Sequence, residues 1–167
     1  MFCGNGEGGV VPLPGGAKLN LCLQCQELIE DLHTHLDRVT LPQGSTLTAA
    51  SFFAGYDRPT DPDFGLYLDP CWKPPWPHAY LNWPNFGVPR DPASAKGPLE
   101  GLLGRAREGE LVEIGCLGGH GRTGAALGCL AVLCGAAGSA AVAWVRDSYC
   151  PLAIETAEQA AFVEHFS

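Results

Sequence analysis

Four glycines fall within the seven residues Gly115–Gly121, between a short apolar run at Leu111–Ile114 and a longer one at Gly124–Cys134. The spacing predicts a strand, a tight glycine-rich loop and a helix opened by Thr123, a layout that presents backbone N–H groups and a helix N-terminus to an anion. It constrains the chain toward an α/β fold, with the strand in the middle of a short sheet, helices on both faces, and the site at the strand's carboxyl end.

The wording of the loop, Cys116-Leu117-Gly118-Gly119-His120-Gly121-Arg122-Thr123-Gly124, excludes the commoner phosphate loops. There is no Lys-Ser/Thr pair for a nucleotide loop. There is also no Gly-x-Gly-x-x-Gly after a first strand with an acidic ribose partner. What remains is Cys116 and Arg122 separated by five residues. Five residues can curl so that the amides of Leu117, Gly118, Gly119, His120, Gly121 and Arg122 point inward around a tetrahedral dianion. The Arg122 guanidinium closes the ring as a planar fork. The sulfur of Cys116 then lies in line with a leaving oxygen, and the inward amides and helix N-terminus favour its thiolate. Thr123 can donate its hydroxyl to that sulfur. The other reading is a glycine-rich turn with a buried cysteine. The full run between a predicted strand and helix disfavours it.

This segment resembles the signature loop of the cysteine-dependent protein tyrosine phosphatase superfamily. Trp83-Pro84-Asn85-Phe86-Gly87-Val88-Pro89 is similar to that family's mobile general-acid loop. Ile154-Glu155-Thr156-Ala157-Glu158-Gln159 is similar to its water-positioning loop. The resemblance spans residues 80–166. Low-molecular-weight phosphatases, arsenate reductases and rhodanese-like proteins also use a Cys and an Arg at this spacing and fit less well. The resemblance implies a single-domain phosphatase-like fold over 21–167 and hydrolysis of phosphomonoesters on protein, phosphotyrosine foremost. Cys116 is then the nucleophile and Gln159, with Glu155, places water. No metal or cofactor is implied, and the partner is a phosphorylated protein.

Two departures stand out. Asn85 occupies the general-acid position, and an amide has no proton to give; loss of general-acid catalysis costs about 10²–10⁴ in rate. Asp91 in the same loop or Glu155 is the candidate substitute. Without one, the chain would hold phosphorylated partners with little turnover. Gly115 precedes the nucleophile where the family often has His. His120 is expected at the pocket rim.

The rest of the 167 residues frames this site. Hydrophobic residues make up 46% and charged residues 17%, a folding composition. The formal net charge of −8 argues against nonspecific nucleic-acid binding or a basic grip on membranes. No apolar stretch reaches a membrane span and no signal peptide is evident, so eight cysteines read as mostly free thiols in a reducing cytoplasm. Residues 1–20 read as an irregular arm, 21–37 as an amphipathic helix and 38–56 as a hairpin or short strands. Short strands are expected at Phe64–Leu68 and Ala79–Asn82. Helices are expected at 93–108 and 139–149, and at 157–166 behind a Thr156/Gln159 capping box. Cys22-x-x-Cys25 with Cys3, His33, His35 or Cys71 is half of a zinc pattern, and core packing is the favoured reading. Packing is likewise favoured for Trp72, Trp76 and Trp83 and for Tyr56 and Tyr67. Arg105 and Arg146 read as surface cations.

Overall fold

The computed structural model describes residues 34–167, together with the backbone of 8–12 and 18–22. Strands β1 (Gly8–Pro12) and β2 (Lys18–Cys22) pair antiparallel, so the expected irregular arm contains a two-stranded ladder. The main sheet has the order β3-β4-β7-β5-β6, built from β3 (Leu36–Thr40), β4 (Thr46–Ser51), β5 (Phe64–Tyr67), β6 (His78–Tyr80) and β7 (Val112–Cys116). β3 is an antiparallel edge; the β4–β7, β7–β5 and β5–β6 pairs are parallel. The expected central strand is therefore β7, buried along its whole length as a strand flanked on both sides must be.

The helix expected over 21–37 is corrected at both ends. Cys22 ends β2, and Leu36 opens β3 with its side chain exposed opposite Ala50. Leu36 continued a helical spacing, but the hairpin closed at Pro42 and Gly44 draws it into the sheet, where Val39 is the residue of β3 that turns to the core. Residues 23–33 lie outside the described residues. The hairpin over 38–56, the strands near 64 and 79 and the later helices stand where the sequence places them.

Helices α1 (Ala93–Arg107), α2 (Gly121–Leu133), α3 (Gly138–Ser148) and α4 (Ala157–Glu164) complete the order. α2 is apolar on nearly every side, so it becomes the buried central helix. α1 packs on α2 and both pack on β7; α3 and α4 pack on α2 from outside. Leu99, Leu102, Leu127 and Leu130 meet Val112 and Ile114 in one core. Strand alternation sends Glu113 and Tyr67 to the opposite face. Among the described residues that face carries no α-helix. It carries the aromatic cluster of Phe52, Tyr67, Trp72 and Trp76, with Arg58 forking onto both carboxylate oxygens of Glu113 at 2.6 and 3.0 Å. The expectation of helices on both faces is thus met on one face within the described residues.

Close packing explains the glycine before Cys116. A Cβ on Gly115 would stand 2.7 Å from the carbonyl oxygen of Ala50 on β4. The central strand and its neighbour approach too closely for any side chain, so a histidine has no room there.

Candidate active site

β7 ends at Cys116 and α2 begins at Gly121, so the loop between them is suspended from the middle of the sheet and the head of the most buried helix. Gly119, at φ +79°, takes the left-handed conformation that the turn requires. Three successive carbonyls of the loop accept hydrogen bonds, two of them from outside the loop. Leu117 O accepts from the Phe52 amide at 3.0 Å, Gly118 O from His120 Nδ1 at 2.6 Å, and Gly119 O from the Tyr149 hydroxyl at 2.6 Å. Burial pushes the Tyr149 hydroxyl far up, so it keeps the proton it donates. Three carbonyls of the loop are thereby fixed by hydrogen bonds, which holds its backbone in one conformation.

Cys116 and Arg122 are both 3% exposed. The Thr123 hydroxyl donates to Cys116 Sγ at 3.0 Å, as the sequence suggests. Arg122 Nη1 donates to Leu68 O at 2.9 Å, Trp83 O at 3.2 Å and Asp69 Oδ2 at 3.2 Å. Among the described residues no acceptor binds its Nε or Nη2, which leaves one edge of the guanidinium for a ligand. Asp69 is a site residue that sequence reading missed. Desolvation pushes its carboxyl up, but the Cys71 amide and Arg122 outweigh this and hold it below the usual carboxylate range. It is therefore an ionised anchor for Arg122, not a proton donor at neutral pH.

Asn85 is half-buried in the loop after β6. That loop is tied to the site at two points: Trp83 O accepts from Arg122, and Gly87 O accepts from Trp83 Nε1 at 2.8 Å and Gln159 Nε2 at 3.4 Å. Gln159 is fully buried and closes the predicted capping box with Thr156, so one side chain both starts α4 and reaches the Asn85 loop. Asp91 lies elsewhere. Its exposed carboxylate accepts from the Ala93 amide at 3.2 Å at the start of α1.

Glu155 comes to the glycine-rich loop. A Cβ on Gly121 would stand 2.0 Å from Glu155 Oε2, so a side chain there would displace the carboxylate from this position. Desolvation raises the Glu155 carboxyl above its ordinary range, against the opposing pull of Arg122 and the Gly121 N–H. The residue before it, Ile154, is a buried β-branched residue at φ +61°, a conformation that costs about 1–3 kcal/mol. Arg146 holds this strained turn: Nε donates to Ala153 O at 3.2 Å and Nη2 to Ile154 O at 3.1 Å. Arg146 is exposed, as expected of a surface cation, and also braces this turn; exposed Arg105 pairs with half-buried Glu110.

His120 is also corrected. It is 1% exposed and turns away from the rim, with its Nε2 3.1 Å from that of His35. The zinc-pattern residues Cys3, Cys22, Cys25 and His33 lie outside the described side chains. Among the described cysteines, 116, 129 and 134 are free thiols. The tryptophans and Tyr67 pack as expected, with Trp76 Nε1 donating to Tyr67 and Tyr67 to Glu113.

No protein-family model matches the chain. The uncharacterized protein MJECL20 of Methanocaldococcus jannaschii is 43% identical over 113 residues, covering 60% of this chain and 74% of that protein. Among solved structures, Tk-PTP in its active form matches with a TM-score of 0.61 at 22% identity, covering 77% of this chain and 95% of that one. A kinase associated phosphatase whose catalytic-site cysteine is replaced by serine matches with a TM-score of 0.63 at 16% identity, covering 81% and 93%. The fold is that of these phosphatases. No described helix is long and apolar enough to cross a membrane.

Proposed function

For a chain that belongs to the same family as the uncharacterized protein MJECL20 and carries the cysteine-dependent protein tyrosine phosphatase fold, we propose hydrolysis of phosphomonoesters on protein through a phosphocysteine, with phosphotyrosine as the substrate class. The solved neighbours, phosphatases by name, support phosphatase activity in general. The observation that carries the reading for this chain is the Thr123–Cys116 hydrogen bond beneath a loop whose carbonyls are fixed by hydrogen bonds, beside an Arg122 with one edge open.

The chemistry runs in two steps. The Cys116 thiolate attacks phosphorus, the S–P bond forms and the P–O bond to the leaving group breaks. The loop amides and Arg122 hold the equatorial oxygens, where charge is spread in the transition state. The leaving oxygen takes a proton. Water then attacks phosphorus and loses a proton to a base, the S–P bond breaks, and Thr123 steadies the departing thiolate. Gln159 positions this water.

Glu155 serves as the acid and base that Asn85 cannot be. Its carboxyl lies against the loop, burial raises it above the ordinary carboxylate range, and a bound dianion beside it raises it further. Asp91 is committed to the start of α1 and takes no part.

Asn85 favours a second reading, a module that captures phosphorylated partners with little turnover. Rapid-mixing kinetics with p-nitrophenyl phosphate, with acid trapping of phosphocysteine, separates the two. The enzyme gives a burst near one equivalent and a steady rate, both abolished in Cys116→Ser. A burst with no steady rate selects the binding module. Turnover unchanged in Cys116→Ser overturns both.

A further inference from the structure

Behind the phosphate loop, away from its anion face, three buried side chains converge: His35 just before β3, His120 in the loop, and Cys150 after α3. Their nearest donor atoms all lie within 4.8 Å of one another. We propose that His35, His120 and Cys150 bind a divalent transition metal of the zinc type, which clamps the phosphate loop from behind.

The convergence of three buried donors carries the argument, and the outer hydrogen bonds of the two rings support it. His120 Nδ1 lies 2.6 Å from Gly118 O, and a carbonyl can only accept, so the proton is on Nδ1. His35 Nδ1 meets the Asp37 carboxylate, again an acceptor. In neutral rings Nε2 is then the free-electron-pair atom, and the two Nε2 atoms face each other 3.1 Å apart. Nitrogens so placed can share one cation, a proton or a metal ion. An imidazole that donates its far N–H to a carboxylate or backbone carbonyl is the usual form of a metal-ligating histidine, and here both rings have it. A shared proton would satisfy the nitrogens alone and gives the neighbouring sulfur no role. A metal uses all three atoms. With metal–nitrogen distances of about 2.0–2.1 Å and metal–sulfur of about 2.3 Å, tetrahedral ligands stand roughly 3.3–3.6 Å apart, so the pair of nitrogens is nearly in place and the sulfur closes by about 1 Å. Mixed imidazole and thiolate donors suit zinc over magnesium or calcium. The fourth position falls to water or to a further donor.

The position gives the ion a consequence. A Cβ on Gly119 would stand 3.1 Å from the His35 ring, so His35 already packs beneath the loop. His120 O accepts from the Gly124 and Ile154 amides at 2.8 and 3.4 Å. A metal at this point joins the edge strand, the phosphate loop and the turn that presents Glu155. It is remote from Cys116 in role, and the inference does not rest on phosphatase turnover.

The test uses the full chain, stripped with chelator and titrated with Co²⁺, followed by metal analysis of protein expressed with added zinc. The expected result is one equivalent of metal, an intense tetrahedral cobalt spectrum and a sulfur-to-cobalt charge-transfer band. His120→Ala and Cys150→Ser lose the intense spectrum. Asp37→Asn, made on a half-exposed side chain that leaves the core intact, weakens affinity about 10- to 100-fold. Cys116→Ser keeps the spectrum while losing any phosphatase activity, which separates this site from the proposed active site. Absence of bound metal, a weak octahedral spectrum, or binding untouched in Asp37→Asn and Cys150→Ser overturns the proposal.

Discussion

Arg122 and Asp69 form an ion pair at 3.2 Å whose arginine is 3% exposed, joining the head of the central helix to the end of β5. The carboxylate fixes the guanidinium by one nitrogen and leaves the opposite edge to a ligand. Asp69→Asn keeps the shape and removes the charge. A hydrogen bond to a charged group is worth about 1.5–3 kcal/mol, so vanadate or phosphate affinity should fall roughly 10- to 100-fold. The pH dependence has a fixed sign. The folded carboxyl is held below its unfolded value, so its stabilisation is present above about pH 4 and is lost as pH falls through the folded value. Acid unfolding monitored by circular dichroism should be less steep in Asp69→Asn. An unchanged anion affinity would show that Arg122 needs no anchor.

Behind the sheet, Arg58 and Glu113 are 3% and 0% exposed and share two hydrogen bonds, with Tyr67 donating to the same carboxylate at 2.9 Å. Removing one partner leaves a buried charge uncompensated. Arg58→Met should cost about 3–5 kcal/mol in chemical denaturation. The Arg58→Met/Glu113→Gln pair should recover part of this loss, because no charge is then stranded.

Gly115→Ala tests the approach of β4 to β7. The added methyl meets backbone, which cannot rotate aside. An overpacked site of this kind costs about 1–3 kcal/mol, read as a lower Tm. A neutral result would mean that the two strands can separate without loss.

The strand, loop and helix around Cys116 were legible because every signal is local: glycine spacing, a Cys and an Arg five residues apart, and an apolar helix behind them. The hairpin was legible from Pro42 and Gly44, and α4 from its capping box. Asp69 was not, because it meets Arg122 across 53 positions and stands in a stretch where aspartate and proline read as loop. Arg146 looked like a solvated cation because the strained turn it braces is set by tertiary packing. His35 and His120 meet across 85 positions, and no spacing rule joins them. Leu36 shows the opposite failure: a residue that fits a helical period was taken by a strand, since pairing with β4 outweighs periodicity at a sheet edge.

Glu155 and Asn85 make opposite predictions about one proton. If Glu155 protonates the leaving oxygen, Glu155→Gln should lower kcat about 10²–10⁴-fold for poor leaving groups such as phenyl phosphate and much less for p-nitrophenyl phosphate, whose leaving group needs little help. The raised carboxyl places this activity on a limb that declines as pH rises through its folded value, and Glu155→Gln should erase that limb. Stability runs the same way: the ionised carboxylate is disfavoured in the fold, so its contribution is complete below the unfolded value and is lost as pH rises through the folded one. Glu155→Gln should therefore gain stability relative to the parent as pH rises from the unfolded value through the folded one. Asn85→Asp supplies a second acid and should raise the phenyl phosphate rate in the Glu155→Gln background more than in the parent. Arg146→Met leaves both carboxyl positions intact but frees the Ala153 and Ile154 carbonyls, so it should reduce kcat with little change in anion affinity. Equal losses for both substrates in Glu155→Gln would mean that the carboxyl shapes the loop and handles no proton.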